Sequence, residues 1–163
     1  MINVLYLHGL ESSNVGDKVD FLKSKANVVA PAIDYSDPAL EEKLLYIVEK
    51  FQPDLIIGSS MGGYVGGMLA NRYDIECILY NPAIHSRPME PNLKSLIDDD
   101  ISPSFKPLVI LGMNDDVIDP CESIDIFEFA DFDSEVVEVE GMGHRVPFDV
   151  FVNIYNIYVS DEL

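Results

Sequence analysis

The sequence predicts an α/β fold: a three-layer α/β/α sandwich around a mostly parallel six-stranded sheet. One observation is a set of short runs, such as Ile2–His8 and Pro107–Met113, that are apolar at nearly every position. Strands buried on both faces read this way. Another is that these runs alternate with helix-like segments, the pattern of a parallel sheet with covering helices. A third is the pentapeptide Gly58-Ser59-Ser60-Met61-Gly62, set between a strand-like run and a helix-like one. Ligands of such sheets bind beyond the carboxyl ends of the strands.

Taken in order, Ile2–His8 is the first strand and Glu11–Asn14 a polar loop. A short helix over Val15–Lys25 carries Val15, Val19, Phe21 and Leu22 as its apolar stripe. Asn27–Ile33 is a second strand. Asp37-Pro38 opens a helix running to Phe51, because Asp caps free amides and Pro fits the first helical position. Gln52-Pro53 stops it. Asp54–Ser59 is the third strand and Met61–Arg72 the helix after it. The glycines of that helix are costly unless it lies close against the sheet. Ile75–Tyr80 is a fourth strand, closed by Asn81-Pro82. An irregular stretch, 83–106, contains Pro88, Pro91 and Pro103, a helix-like piece at Leu93–Ile97 and the acidic triplet Asp98–Asp100. It is the natural place for a lid or substrate wall. Pro107–Met113 is a fifth strand, Pro120–Ala130 a helix capped by Asp119, Glu135–Glu140 a sixth strand and Pro147–Val159 a closing helix. With no linker or repeat, residues 1–163 are expected to form one domain.

Twenty-nine acidic residues against ten basic ones set a net charge of −19, which excludes nucleic acid and disfavours anionic membrane surfaces as partners. The first residues read as a strand rather than a signal peptide, and no apolar run reaches the length of a membrane span, so no membrane insertion is expected. Cys77 and Cys121 lack metal-ligand spacing and read as the reduced thiols of a cytoplasmic protein. The last four residues, Ser160–Leu163, faintly resemble an ER-retention tail, taken here as coincidence.

The chemistry centres on Ser60. A G-x-S-x-G turn between strand and helix lifts the serine hydroxyl clear of the sheet. The Met61 amide, in the first turn of the new helix, can hold a developing oxyanion. A serine hydroxyl needs a base, itself oriented by a carboxylate. His144, in Gly141-Met142-Gly143-His144 just after the sixth strand, is the favoured base, with His85 and His8 as alternatives. His8 better suits a loop-shaping role that presents the Leu10 amide as a second oxyanion donor. Asp115, just past the fifth strand, is the favoured acid, with Asp116 as the alternative. Serine, acid and histidine follow successive strands in the order Ser, Asp, His, the chain order of α/β-hydrolases.

The sequence resembles that superfamily, and within it the small YqiA-like bacterial esterases. The resembling blocks are Leu5–Ser13, Ile57–Tyr64, Tyr80–Ala83, Asn114–Asp119 and Glu140–His144, spread over most of the chain. The resemblance implies a minimal α/β-hydrolase fold, Ser60 as nucleophile, Asp115 as acid and His144 as base. It also implies Leu10 and Met61 as oxyanion-hole amides. The expected activity is a serine esterase acting on a small acyl ester or thioester, with no cofactor and no metal. Rival readings are a thioesterase or peptidase on the same triad, a silent hydrolase-fold binding protein, and a metal site built from Asp115, Asp116 and His144.

Overall fold

A computed structural model describes residues 1–130 and 132–162, with side chains through residue 159. Leu163 and the side chains of Ser160, Asp161 and Glu162, the tail noted above, lie outside the described residues. The elements in chain order are β1 Asn3–Leu7, α1 Asp17–Lys25, β2 Asn27–Val29, α2 Leu40–Phe51, β3 Leu55–Ser59 and α3 Met61–Tyr73. There follow β4 Glu76–Tyr80, α4 Lys94–Ile97, β5 Leu108–Gly112, α5 Pro120–Glu128, β6 Glu135–Val139 and α6 Phe148–Glu162. The six strands form one sheet in the order β2-β1-β3-β4-β5-β6. Every pairing is parallel.

Alternation along the strands sends apolar side chains to both faces. Val4, Tyr6, Leu55, Ile57, Ile78, Tyr80 and Ile110 face α1 and α6, where Val19, Leu22, Phe151 and Tyr155 pack. Leu5, Leu7, Ile56, Cys77 and Leu79 face α2 and α3. Val109 and Leu111 continue that face toward Phe127 of α5. The register Tyr6↔Ile57↔Ile78↔Leu108 shows the rows continuing across four strands. The edge strand β6 instead reads EVVEV: Glu135 and Glu138 are exposed, while Val137 and Val139 are partly buried against one core cluster and Val136 against the other.

Several boundaries differ from the sequence reading. The second strand stops at Val29, not Ile33. Pro31 has no N–H to donate and disfavours regular pairing, and the Ile33 amide is spent on the His8 Nε2 at 3.0 Å. The second helix begins at Leu40, because Asp37 closes a turn first: its Oδ1 accepts from the Ala39 amide at 2.8 Å and its carbonyl from the Leu40 amide at 3.1 Å. The first helix begins at Asp17 behind Gly16 (φ 118°), so Val15 lies outside it and is exposed.

The irregular stretch 83–106 is strapped to the helices beside it. Leu93, Leu96 and Phe105 are buried in the α2–α3 core. The Asn71 Nδ2 donates to Asp100 O, the Ser102 amide donates to Asn71 Oδ1, and Arg72 pairs with Asp99 at 2.8 Å.

Candidate active site

The strand order reverses direction at β1: β2 lies on one side of it and β3 on the other. The crevice for a ligand in an open parallel sheet opens at such a point. Ser60 leaves β3 there, and the loop His8–Leu10 leaves β1 beside it. Ser60 has φ 54° and ψ −117°, a conformation that an L residue rarely adopts and that costs about 1–3 kcal/mol. Neighbouring backbone holds it there. The Ser60 amide donates to Tyr80 O at 2.9 Å, and its carbonyl accepts from the Tyr64 and Ala83 amides at 3.0 Å each.

The two glycines of the pentapeptide are required by packing. A Cβ on Gly58 would sit 2.2 Å from Gly62 O, and one on Gly62 would sit 2.1 Å from Leu7 O. The turn is that tight because α3 starts directly against the ends of β1 and β3.

His144 and Asp115 meet Ser60 across the top of the sheet. The His144 Nε2 is 3.1 Å from Ser60 Oγ, and its Nδ1 is 2.8 Å from Asp115 Oδ2. A carboxylate oxygen accepts, so Nδ1–H donates and Nε2 is left to accept the serine proton. The other Asp115 oxygen accepts from the Val117 amide at 2.8 Å and the Ile118 amide at 2.9 Å. The Asp115 side chain is 1% exposed, against 23% for His144, so the acid is sealed while the base stays reachable. Two further bonds zip the acid loop to the histidine turn: the Asn114 amide donates to Met142 O at 2.9 Å and the Met113 amide to Val139 O at 3.1 Å.

The alternatives lie elsewhere. Asp116 is exposed and does not reach His144 in the bonds just described. His8 is buried, with Nδ1 2.7 Å from Gly9 O and Nε2 accepting from the Ile33 amide. Those partners place its proton on Nδ1, so the ring is a fixed brace. The Tyr35 hydroxyl donates to His8 O, and burial, with a smaller effect of Tyr6, pushes that phenol upward, keeping it a neutral donor. His85 is tied to α5, with Nε2 3.1 Å from Asp119 O and Nδ1 3.1 Å from Glu122. Among the described residues, no three His, Cys, Asp or Glu side chains are grouped to hold a metal ion.

The two expected oxyanion donors stand on the elements that flank Ser60. Met61 is the first residue of α3, where leading amides have no carbonyl a turn earlier. Leu10 follows Gly9, which lies against the serine: a Cβ at Gly9 would be 3.3 Å from Ser60 Cβ. One residue escaped the sequence reading. Asn81, read as the end of a strand and part of the resembling block Tyr80–Ala83 but given no role, is buried, has φ 41° and bonds into the histidine turn. Its signal was an Asn-Pro pair after a strand, since Asn tolerates positive φ better than most residues.

The family described as an uncharacterised protein family, UPF0227, matches residues 3–111. The chain belongs to the UPF0227 family. This member's α/β-hydrolase fold is shared with solved structures, and the resemblance read from the sequence holds. A monoacylglycerol lipase from Paleococcus ferrophilus is 16% identical, with 97% of this chain and 94% of that one covered and a TM-score of 0.73. Est1E from Butyrivibrio proteoclasticus is 14% identical, with 98% and 87% covered and a TM-score of 0.68. XC6422 from Xanthomonas campestris, described as a serine hydrolase without a lid, is 17% identical, with 94% and 77% covered and a TM-score of 0.64. At such identities the likeness is one of fold. No curated protein matches the sequence. The family match includes Ser60 and ends before Asp115 and His144.

Proposed function

We propose that this UPF0227 protein is a serine esterase cleaving small carboxylic esters or thioesters through Ser60, His144 and Asp115. The observation that carries the reading is the continuous hydrogen-bonded chain Ser60 Oγ–His144 Nε2 (3.1 Å) and His144 Nδ1–Asp115 Oδ2 (2.8 Å). In this mechanism His144 Nε2 takes the Ser60 proton as Oγ attacks the acyl carbon. Asp115 holds the ring's tautomer and stabilises the imidazolium. The oxyanion is held by the Met61 and Leu10 amides, and one such donor is typically worth about 10²–10³ in rate. The imidazolium then gives its proton to the departing alcohol or thiol. Water, deprotonated by the same Nε2, attacks the acyl-Ser60 ester, and collapse releases the acid and restores the serine. The chemistry asks for no metal or organic cofactor.

The strapping of 83–106 onto α2 and α3 favours a wall over a moving lid. Near Ser60 that wall begins with Ala83, followed by Arg87, whose guanidinium stacks 4.0 Å over the Tyr64 ring and donates to Ala83 O and Ile84 O at 2.8 Å. We read the whole chain as one domain with an open site for short acyl groups, working in the cytoplasm. No helix among the described residues is long and apolar enough to cross a membrane.

The test is a fluorophosphonate probe together with a series of p-nitrophenyl esters of rising chain length and their thioester counterparts. Wild type is expected to label once and turn over short esters, while Ser60→Ala and His144→Ala do neither. No labelling of wild type at neutral pH overturns the reading in favour of a silent binding protein, and equal labelling of Ser60→Ala overturns Ser60 as the nucleophile.

A further inference from the structure

Four segments must converge for Ser60 and His144 to meet: the ends of β3, β4 and β5 and the turn after β6. One residue stands on one of them and joins two others through its side chain. Asn81 follows β4 and is 1% exposed. Its Oδ1 accepts from the Gly112 amide, at the end of β5, at 2.8 Å. Its Nδ2 donates to Gly143 O at 3.2 Å and to His144 O at 3.1 Å. Its own amide donates to Ile110 O at 2.9 Å. The residue before it and the one two positions after it hold the fourth segment: Tyr80 O accepts from the Ser60 amide, and the Ala83 amide donates to Ser60 O. The His144 ring is therefore referenced to the serine turn through a run of bonds centred on one amide side chain.

We propose that Asn81 is a positioning residue for the base, setting the distance between His144 Nε2 and Ser60 Oγ. This rests on the esterase reading for its kinetic consequence but not for its geometric one. The chemistry of the position is selective. It needs an acceptor on one side for the Gly112 amide and two donor hydrogens on the other for two carbonyls, which a primary amide supplies and a carboxylate does not. It also needs a residue that tolerates φ 41°. Asn meets both conditions. Without the Nδ2 bonds, the His144 ring keeps its own bonds to Asp115 and Ser60, but the backbone that carries it is tied to the acid loop by the Met113 and Asn114 amides. Those ties reach Val139 O and Met142 O, upstream of the histidine itself.

Two variants separate this role from plain structural support. Asn81→Gly keeps the positive φ at no cost and removes the side chain. Asn81→Asp keeps the size and the Gly112 acceptor but turns an oxygen toward Gly143 O and His144 O. Both are assayed well below their own melting temperatures. Kcat is expected to fall about 10²-fold in each, the usual consequence of a misplacement near 1 Å, with KM within about twofold. In parallel, the His144 Nδ1–H is followed by proton NMR, assigned by its loss in His144→Ala. It is expected as a slowly exchanging downfield signal in wild type, and lost to exchange in both variants. Wild-type kcat and an unchanged Nδ1–H signal in either variant would overturn the proposal. If wild type itself proves inactive, the esterase reading fails, and the Nδ1–H comparison still decides whether Asn81 positions the ring.

Discussion

Among the described residues, two serine–histidine–carboxylate clusters have nearly the same connectivity, and their differences show what makes a site. In one, His144 lies 3.1 Å from Ser60 Oγ and 2.8 Å from Asp115. In the other, His85 lies 3.2 Å from Ser123 Oγ and 3.1 Å from Glu122. Ser60 stands on a strained turn open to the sheet's carboxyl edge, whereas Ser123 is wholly buried inside α5 and donates its hydroxyl to Asp119 O. The acids are reversed as well. The Asp115 side chain is sealed at 1% exposure and held by two amides, whereas the Glu122 side chain is 67% exposed. An exposed carboxylate on a helix surface is screened and free to move, so it orients an imidazole weakly. The second cluster is a fastener that ties the start of the 83–106 stretch to α5. The comparison teaches that connectivity alone is cheap. Access for the nucleophile and burial of the acid are what separate a candidate triad from a packing detail.

The sharpest way to break the comparison is to delete each serine. Ser60→Ala is expected to lower kcat for a short ester by roughly 10⁴–10⁶. Ser123→Ala should keep ester turnover within about twofold and lose only a modest part of its thermal stability. If the two serines swap in this assay, the assignment of the site is wrong.

Neutralising the acids comes next. Asp115→Asn is expected to cost about 10³–10⁴ in kcat, because the imidazole then loses its fixed tautomer. Glu122→Gln should leave kcat within about twofold. Steady-state kinetics on one ester serves for both, and a large loss in Glu122→Gln would mean that the His85 fastener feeds the reaction.

A third test touches no reacting atom. Gly62→Ala places a methyl 2.1 Å from Leu7 O, so α3 must shift away from β1. Overpacking of this kind costs about 1–3 kcal/mol, and Ser60 moves with the helix. Denaturant melts should show the loss of stability, and probe labelling should slow in protein that is still folded. Unaltered stability would show that the turn is looser than its contacts indicate.

The smallest effect concerns the thiols. Cys121 is exposed beside the His85 cluster, whereas Cys77 is buried in β4, where burial first and Glu76 second push its thiol upward. A maleimide should label Cys121 alone in the native protein and leave turnover in the short-ester assay unchanged. Labelling at Cys77 before unfolding, followed by mass spectrometry, would contradict the sealed core beneath the serine turn.

Much of this was legible in the chain. Runs such as Leu55-Ile56-Ile57 have no polar alternate positions, so they had to be strands covered on both faces. Gly58 and Gly62 marked the serine turn, and the order Ser60, Asp115, His144 after three strand ends marked the candidate site. What stayed illegible depended on partners distant in sequence. The sequence predicts too long a second strand because nothing local reveals that the Ile33 amide is claimed by a histidine ring 25 residues upstream. Asn81 read as a strand terminator because its three side-chain bonds go to Gly112, Gly143 and His144, residues 31, 62 and 63 positions away.

The sequence by itself determined the alternation of elements, the turn chemistry at Ser60 and the roster of side chains able to act there, because hydrophobic period and turn geometry are local properties of the chain. Only the tertiary structure brings one of the three histidines and one of the two adjacent aspartates into a hydrogen-bonded line with Ser60. That line rests on distances of about 3 Å between side chains far apart in sequence, which the packing of four strand ends around Asn81 brings together.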